Sequence, residues 1–121
     1  GKMRILIVDD EPLVRKSLGR ACRSKGHEVF EAADGNEGLS SWLEHQPDLA
    51  FVDVLMPGLS GPELLLEISQ RKSEVKRTRV ILMSAYAGEH NPAREAELFI
   101  PKPFDDVFEV VKQAEELYAR P

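Results

Sequence analysis

The sequence predicts an α/β domain, a parallel sheet with helices on both faces, and three observations carry that prediction. Three short apolar runs, Ile5-Leu6-Ile7-Val8, Leu49-Ala50-Phe51-Val52 and Val80-Ile81-Leu82-Met83, read as strands buried on both faces. Segments with apolar residues at helical spacing lie between them. The two kinds of segment alternate, and by the right-handed crossover rule such an alternation builds a parallel sheet covered on both sides.

In chain order, the strand Ile5 to Val8 leads into a helix opened by Pro12, with Leu13, Val14, Leu18 and Ala21 at helical spacing. Proline suits a first helical turn, where its missing N–H costs little. A weaker strand is expected at His27 to Glu31, on the pair Val29-Phe30, followed by a helix presenting Leu39, Trp42 and Leu43. The third strand ends at Asp53, and the next helix carries Pro62 in its first turn and Leu64, Leu65 and Ile68 along one face. From 85 to 97, Gly88, Asn91 and Pro92 leave only Ala93 to Leu98 as a short fourth helix. Leu98-Phe99-Ile100 gives the fifth strand, and Asp105 is the expected cap of a last helix carrying Val107, Val110, Val111, Ala114 and Leu117.

A chain of 121 residues, 42% hydrophobic and 31% charged, has room for one core. With no linker, repeat or low-complexity stretch, one domain is expected over residues 2–121. The formal charge of −5 argues against direct nucleic-acid binding, which rests on a basic patch that displaces counterions. Metal cations or basic partners suit it better. No apolar run is long enough to span a bilayer and no signal-peptide pattern is present, so a cytoplasmic protein without membrane contact is expected. Cys22 has no second cysteine to bond and lies in an apolar helical pattern, where it reads as a small core residue. His27, His45 and His90 show no metal-ligand spacing.

Ligands of open parallel sheets bind off the carboxyl ends of the strands, so the residues just after each strand carry the chemistry. Strand one ends in Asp9-Asp10-Glu11, strand three in Asp53, strand four in Ser84 and strand five in Lys102-Pro103. Asp9, Asp10 and Asp53 can share a small space, where like charges repel unless a cation intervenes. A hard, oxygen-seeking ion such as Mg2+ matches that ligand supply. Asp53 stands between Ala50-Phe51-Val52 and Val54-Leu55-Met56-Pro57-Gly58, an unusual setting for a charge without a use. Lys102 can pair with Asp53 or with a phosphoryl oxygen, and Ser84 can donate to an anion held there. Each residue alone has a plainer reading: a helix cap, a strand end, a snorkelling lysine, a common serine. Only the set carries weight.

That set, one group per strand end, resembles the response-regulator receiver family of two-component signalling along essentially the whole chain. The most specific stretches are Ile7-Val8-Asp9-Asp10-Glu11-Pro12, Asp53-Val54-Leu55-Met56-Pro57-Gly58-Leu59-Ser60-Gly61, Ser84-Ala85-Tyr86 and Phe99-Ile100-Pro101-Lys102-Pro103-Phe104. The resemblance implies a flavodoxin-like, doubly wound five-stranded sheet of strand order 2-1-3-4-5, with the fourth helix shortened. It implies that Asp53 takes a phosphoryl group from the phosphohistidine of a sensor histidine kinase or a histidine phosphotransfer protein. Mg2+ would be held by Asp10, Asp53 and the main-chain carbonyl of Leu55, with Asp9 acting through water. Lys102 would pair with a phosphoryl oxygen, Ser84 and Phe99 would form the switch, and the Lys102-Pro103 peptide would be cis.

The resemblance implies that Leu55 and Tyr86, both bulky here, tune loss of the phosphoryl group, shielding it from water. Kinase docking is expected around Leu13, Val14 and Lys16 and near Pro103-Phe104. The stretch from Ser84 to Lys102 is shorter than is usual in the family, so a monomer is expected after activation. The downstream effector is not legible. A receiver module of a hybrid histidine kinase is an alternative setting, and a phosphorylation-independent pseudo-receiver is another, although no acidic or lysine position is missing. Aspartyl phosphatases place the nucleophile in an Asp-x-Asp pattern after strand one, a spacing Asp9-Asp10-Glu11 lacks.

Overall fold

The computed structural model describes residues 1–85 and 96–121. Its strands are β1 (Arg4–Val8), β2 (Glu28–Ala32), β3 (Leu49–Asp53), β4 (Arg79–Ser84) and β5 (Leu98–Pro101), and its described helices are α1 (Pro12–Ser24), α2 (Gly35–His45), α3 (Gly61–Ser69) and α4 (Val107–Ala119). All strand pairings are parallel, in the order β2-β1-β3-β4-β5, as the sequence predicts.

Side chains alternate across a strand, so continuous apolar runs feed two layers at once. Ile5, Ile7, Leu49, Phe51, Ile81 and Met83 face α1 and α4, meeting Leu18, Ala21 and Cys22 from one helix and Val110, Val111, Ala114 and Leu117 from the other. Leu6, Val8, Ala50, Val52 and Leu82 face the opposite layer, where Trp42 of α2 and Leu64 and Leu65 of α3 cover them. Burying each large apolar side chain contributes about 1.5–3 kcal/mol, so the layers hold the strand ends in place. Cys22 is a fully buried free thiol, pushed up to about 12 by burial and then by the Glu115 charge. No helix among the described residues is long and apolar enough to cross a membrane.

Several local expectations need correction. The second strand starts one residue later than His27, because the His27 backbone N–H is spent on the Cys22 carbonyl at the end of α1. It ends one residue later than Glu31, because Ala32 pairs with Val8. Asp106, not Asp105, caps the last helix, accepting from the Phe108 N–H at 2.9 Å. Leu13 does not cover the sheet; it stands 84% exposed at the start of α1. Of the expected short helix from Ala93 to Leu98, residues 93–95 lie outside the described residues, Ala96 and Glu97 are not helical, and Leu98 belongs to β5.

Candidate functional site

The chain crosses from one side of β1 to the other between β2 and β3, which makes the carboxyl ends of β1 and β3 the switch point where a ligand crevice opens. Register brings the neighbouring strands level with it. Val8 lies beside Val52, Asp53 beside Met83, Met83 beside Ile100, and Ser84 beside Pro101. The residues that follow the strands therefore meet at one end of the sheet.

Asp9 follows β1 with its backbone N–H still bonded to the Ala32 carbonyl of β2, and its side chain is fully buried. One of its oxygens accepts from the Glu11 N–H and the other from the Lys102 ammonium, both at 2.9 Å. Asp10 is exposed. Asp53 ends β3 at 4% exposure. Asp9, Asp10 and Asp53 each turn a carboxylate oxygen toward a common point, all within 4.8 Å of one another.

Gly61, the first residue of α3, packs against the Asp53 backbone so closely that a Cβ there would lie 2.4 Å from the Asp53 carbonyl oxygen. The Gly61 N–H donates to the Val54 carbonyl at 2.8 Å. A capping box between Ser60 and Glu63 closes the same helix start, so α3 fixes the loop that leaves Asp53. Leu55 in that loop is 57% exposed.

Lys102 reaches in from the end of β5, where its N–H donates to the Ser84 carbonyl at 2.8 Å and its peptide bond to Pro103 is cis. Its ammonium lies 2.6 Å from Glu11, 2.9 Å from Asp9 and 3.3 Å from Asp53. Burial alone disfavours that ammonium, but hydrogen bonds to Glu11 and Asp9, with the charges of Asp53 and Asp9, hold its proton above the ordinary lysine range. Burial first, and then the Asp9 charge, push the Asp53 carboxyl up to about 7 against the pull of Lys102, with Asp10 adding a smaller push. A cation placed among the three aspartates relieves that repulsion, and their all-oxygen donor set fits a magnesium-like ion.

The sequence-derived residues Asp9, Asp10, Asp53 and Lys102 thus converge, with Ser84 buried at the adjoining end of β4. Phe99 is half-buried, level with Leu82, against the layer covered by α2 and α3. Tyr86 lies outside the described residues. Glu11 is the site residue that strand-end reasoning passed over. Beside the site, a groove of about 230 Å³ runs between Leu13, Val14 and Ser17 of α1 and the segment Pro103-Phe104.

Comparison with known proteins agrees with this fold. A family model described as the response regulator receiver domain matches residues 5–113. Sporulation initiation phosphotransferase F of Bacillus subtilis is 35% identical over 107 residues, covering 84% of this chain and 83% of that protein. Sensor kinase CckA of Brucella abortus is 37% identical over 110 residues, covering 86% of this chain but 11% of the kinase. The chain spans a third or less of the length of several curated relatives. A crystal structure of the response regulator TrrA from Thermotoga maritima, in complex with Mg2+-BeF, superposes with a TM-score of 0.81 at 32% identity, covering 94% of this chain and 97% of that one. The chain belongs to the response regulator receiver domain family of two-component systems.

Proposed function

We propose that the chain accepts a phosphoryl group on Asp53 and signals through the change of shape that follows. The carrying observation is that Asp53, buried at the switch point, has Asp9, Asp10 and Lys102 gathered around it. An Asp53 oxygen attacks the phosphorus of a phosphohistidine on a sensor histidine kinase or histidine phosphotransfer protein. The new O–P bond forms as the P–N bond breaks, and the electron pair returns to the imidazole.

Asp10, Asp53 and the main-chain carbonyl of Leu55 would hold Mg2+, with Asp9 acting through water. Bound there, the ion supplies positive charge against the phosphoryl oxygens. The complex of TrrA with Mg2+-BeF supports Mg2+ as the ion. Lys102 neutralises a second phosphoryl oxygen in a buried setting, where an ammonium counts for more than in water. The Ser84 hydroxyl donates to a third oxygen once the group is in place, and the half-buried Phe99 ring turns further inward behind it.

Leu55, and by the family pattern Tyr86, shield the acyl phosphate from water. The exposed Leu13 and the groove it shares with Pro103-Phe104 offer an apolar surface to the phosphodonor. The chain acts as a signalling domain that catalyses its own phosphorylation and dephosphorylation, as a monomer over residues 2–121, in the cytoplasm, without contacting nucleic acid. One variant of this reading, a receiver module inside a hybrid histidine kinase, has a counterpart in the match within sensor kinase CckA.

Labelling by acetyl phosphate with Mg2+ tests the assignment. Wild-type protein is expected to take up one phosphoryl group and Asp53→Asn essentially none; undiminished labelling of the variant overturns it. The same material, saturated with beryllofluoride and sedimented, is expected at monomer mass.

A further inference from the structure

The Lys102 ammonium is not centred on Asp53. It lies nearest Glu11, at 2.6 Å, next nearest Asp9 at 2.9 Å, and farthest from Asp53 at 3.3 Å. Two of these three partners are fixed. Asp9 is fully buried, with its other oxygen tied to the Glu11 N–H, and the Asp53 side chain is 6% exposed. The Glu11 carboxylate differs, because its side chain is 59% exposed and water solvates it as soon as it swings away.

Glu11 is not used by the helix it opens. It is the N-cap residue of α1, a position where serine, threonine, aspartate and asparagine, rather than glutamate, accept from the first helical N–H groups. Here the Glu11 side chain makes no cap hydrogen bond, and Pro12 follows it. Its carboxylate is turned to Lys102, so removing its charge takes no cap from the helix start.

The site's charge gives that contact a consequence. Asp9, Asp10, Glu11 and Asp53 are four carboxylates around one ammonium, and an anionic phosphoryl donor must approach all of them. An ammonium held toward Glu11 is partly withheld from the incoming oxygens.

We propose that Glu11 is a positioning residue that draws the Lys102 ammonium toward itself at rest, weakening but not breaking its 3.3 Å pairing with Asp53, and releases it when a phosphoryl group arrives. Asp9 is the permanent anchor of the lysine and Glu11 the releasable one. The latch rests on the phosphoacceptor reading, and it makes Glu11 a brake on phosphorylation.

Glu11→Gln keeps the side chain's size and removes its charge. In acetyl phosphate labelling with Mg2+, the variant is expected to half-saturate at about two- to fivefold lower acetyl phosphate, the range set by a half-exposed ion pair, with the maximal rate changed less. The Lys102 ammonium resonance, followed by 15N NMR in unphosphorylated protein, is expected to move on substitution toward its position in the beryllofluoride form. A purely structural Glu11 leaves the half-saturation unchanged and does not carry the resonance toward the beryllofluoride position. A resonance that does not move toward the beryllofluoride position, or an unchanged or raised half-saturation, overturns the latch while Asp53 labelling stands. Wild-type protein that takes no label overturns the phosphoacceptor reading and the brake together, and the resonance then decides separately whether Glu11 holds Lys102.

Discussion

Asp53 is buried beside Asp9, and both features make its ionised form costly in the absence of a cation. Its carboxyl is raised from 3.8 to about 7, so between those values the folded protein binds more protons than the unfolded chain. By linkage, its contribution to stability is full below the lower value and is lost as pH rises through the upper one. Metal-free Asp53→Asn is therefore expected to be more stable than wild type above pH 7, by at most roughly 4 kcal/mol at 1.36 kcal/mol per tenfold change in proton affinity. The gain should vanish in acid, below the ordinary aspartate range. Urea unfolding of both proteins across that range reads it, and a gain independent of pH contradicts the account. Asp9, Asp10, Asp53, Ser84 and Lys102 were all legible in the sequence, because each follows an apolar run that ends at the same edge of the sheet. Glu11 was not. Its partner is 91 residues away, and an acidic residue before a helical proline reads as an ordinary helix start until the lysine's position is known.

Helix α3 joins the fold to the site, because its first turn is both capped and pressed against Asp53. The two contacts can be separated. Ser60→Ala removes the cap, in which the Ser60 hydroxyl accepts from the Glu63 N–H, and is expected to cost about 1 kcal/mol with little change in the labelling of Asp53. Gly61→Ala places a methyl group against the backbone of Asp53 and Val54, which cannot turn aside as a side chain can. It is expected to cost about 1–3 kcal/mol and also to slow labelling severalfold, because the strain is relieved by moving the backbone of Asp53 itself. Denaturant midpoints and labelling rates measured on the same preparations distinguish the two; equal labelling in both variants would show that α3 does not position Asp53. At this scale the sequence located the described helices and strands but not all their ends. Asp105 and Asp106 are adjacent and chemically identical, and only the backbone decides which one meets the Phe108 N–H. Leu13 fits the helical period, yet it sits one turn too early for the sheet to cover it, so periodicity alone counted it as core.

The strand order was legible because the family resemblance supplied it and the apolar runs allowed it: runs buried on both faces require a helix layer on each side, and both layers formed. What sequence pattern does not convey is that this packing brings together acids whose repulsion the fold must bear. A domain of this design carries an electrostatic load that a bound cation would remove, so whole-molecule stability is expected to depend on Mg2+. A ligand that binds only the folded state stabilises it by about 2.7 kcal/mol at a concentration one hundred times its dissociation constant. Mg2+ is therefore expected to raise the unfolding midpoint of wild-type protein in a concentration-dependent way at neutral pH. Asp10→Asn, at an exposed position, should leave the metal-free stability within about 0.5 kcal/mol of wild type and abolish most of the Mg2+ response. Thermal or urea unfolding with and without Mg2+ measures both halves. A full Mg2+ response in Asp10→Asn would place the cation elsewhere, and no response in wild type would mean that the three aspartates bear their repulsion without a metal.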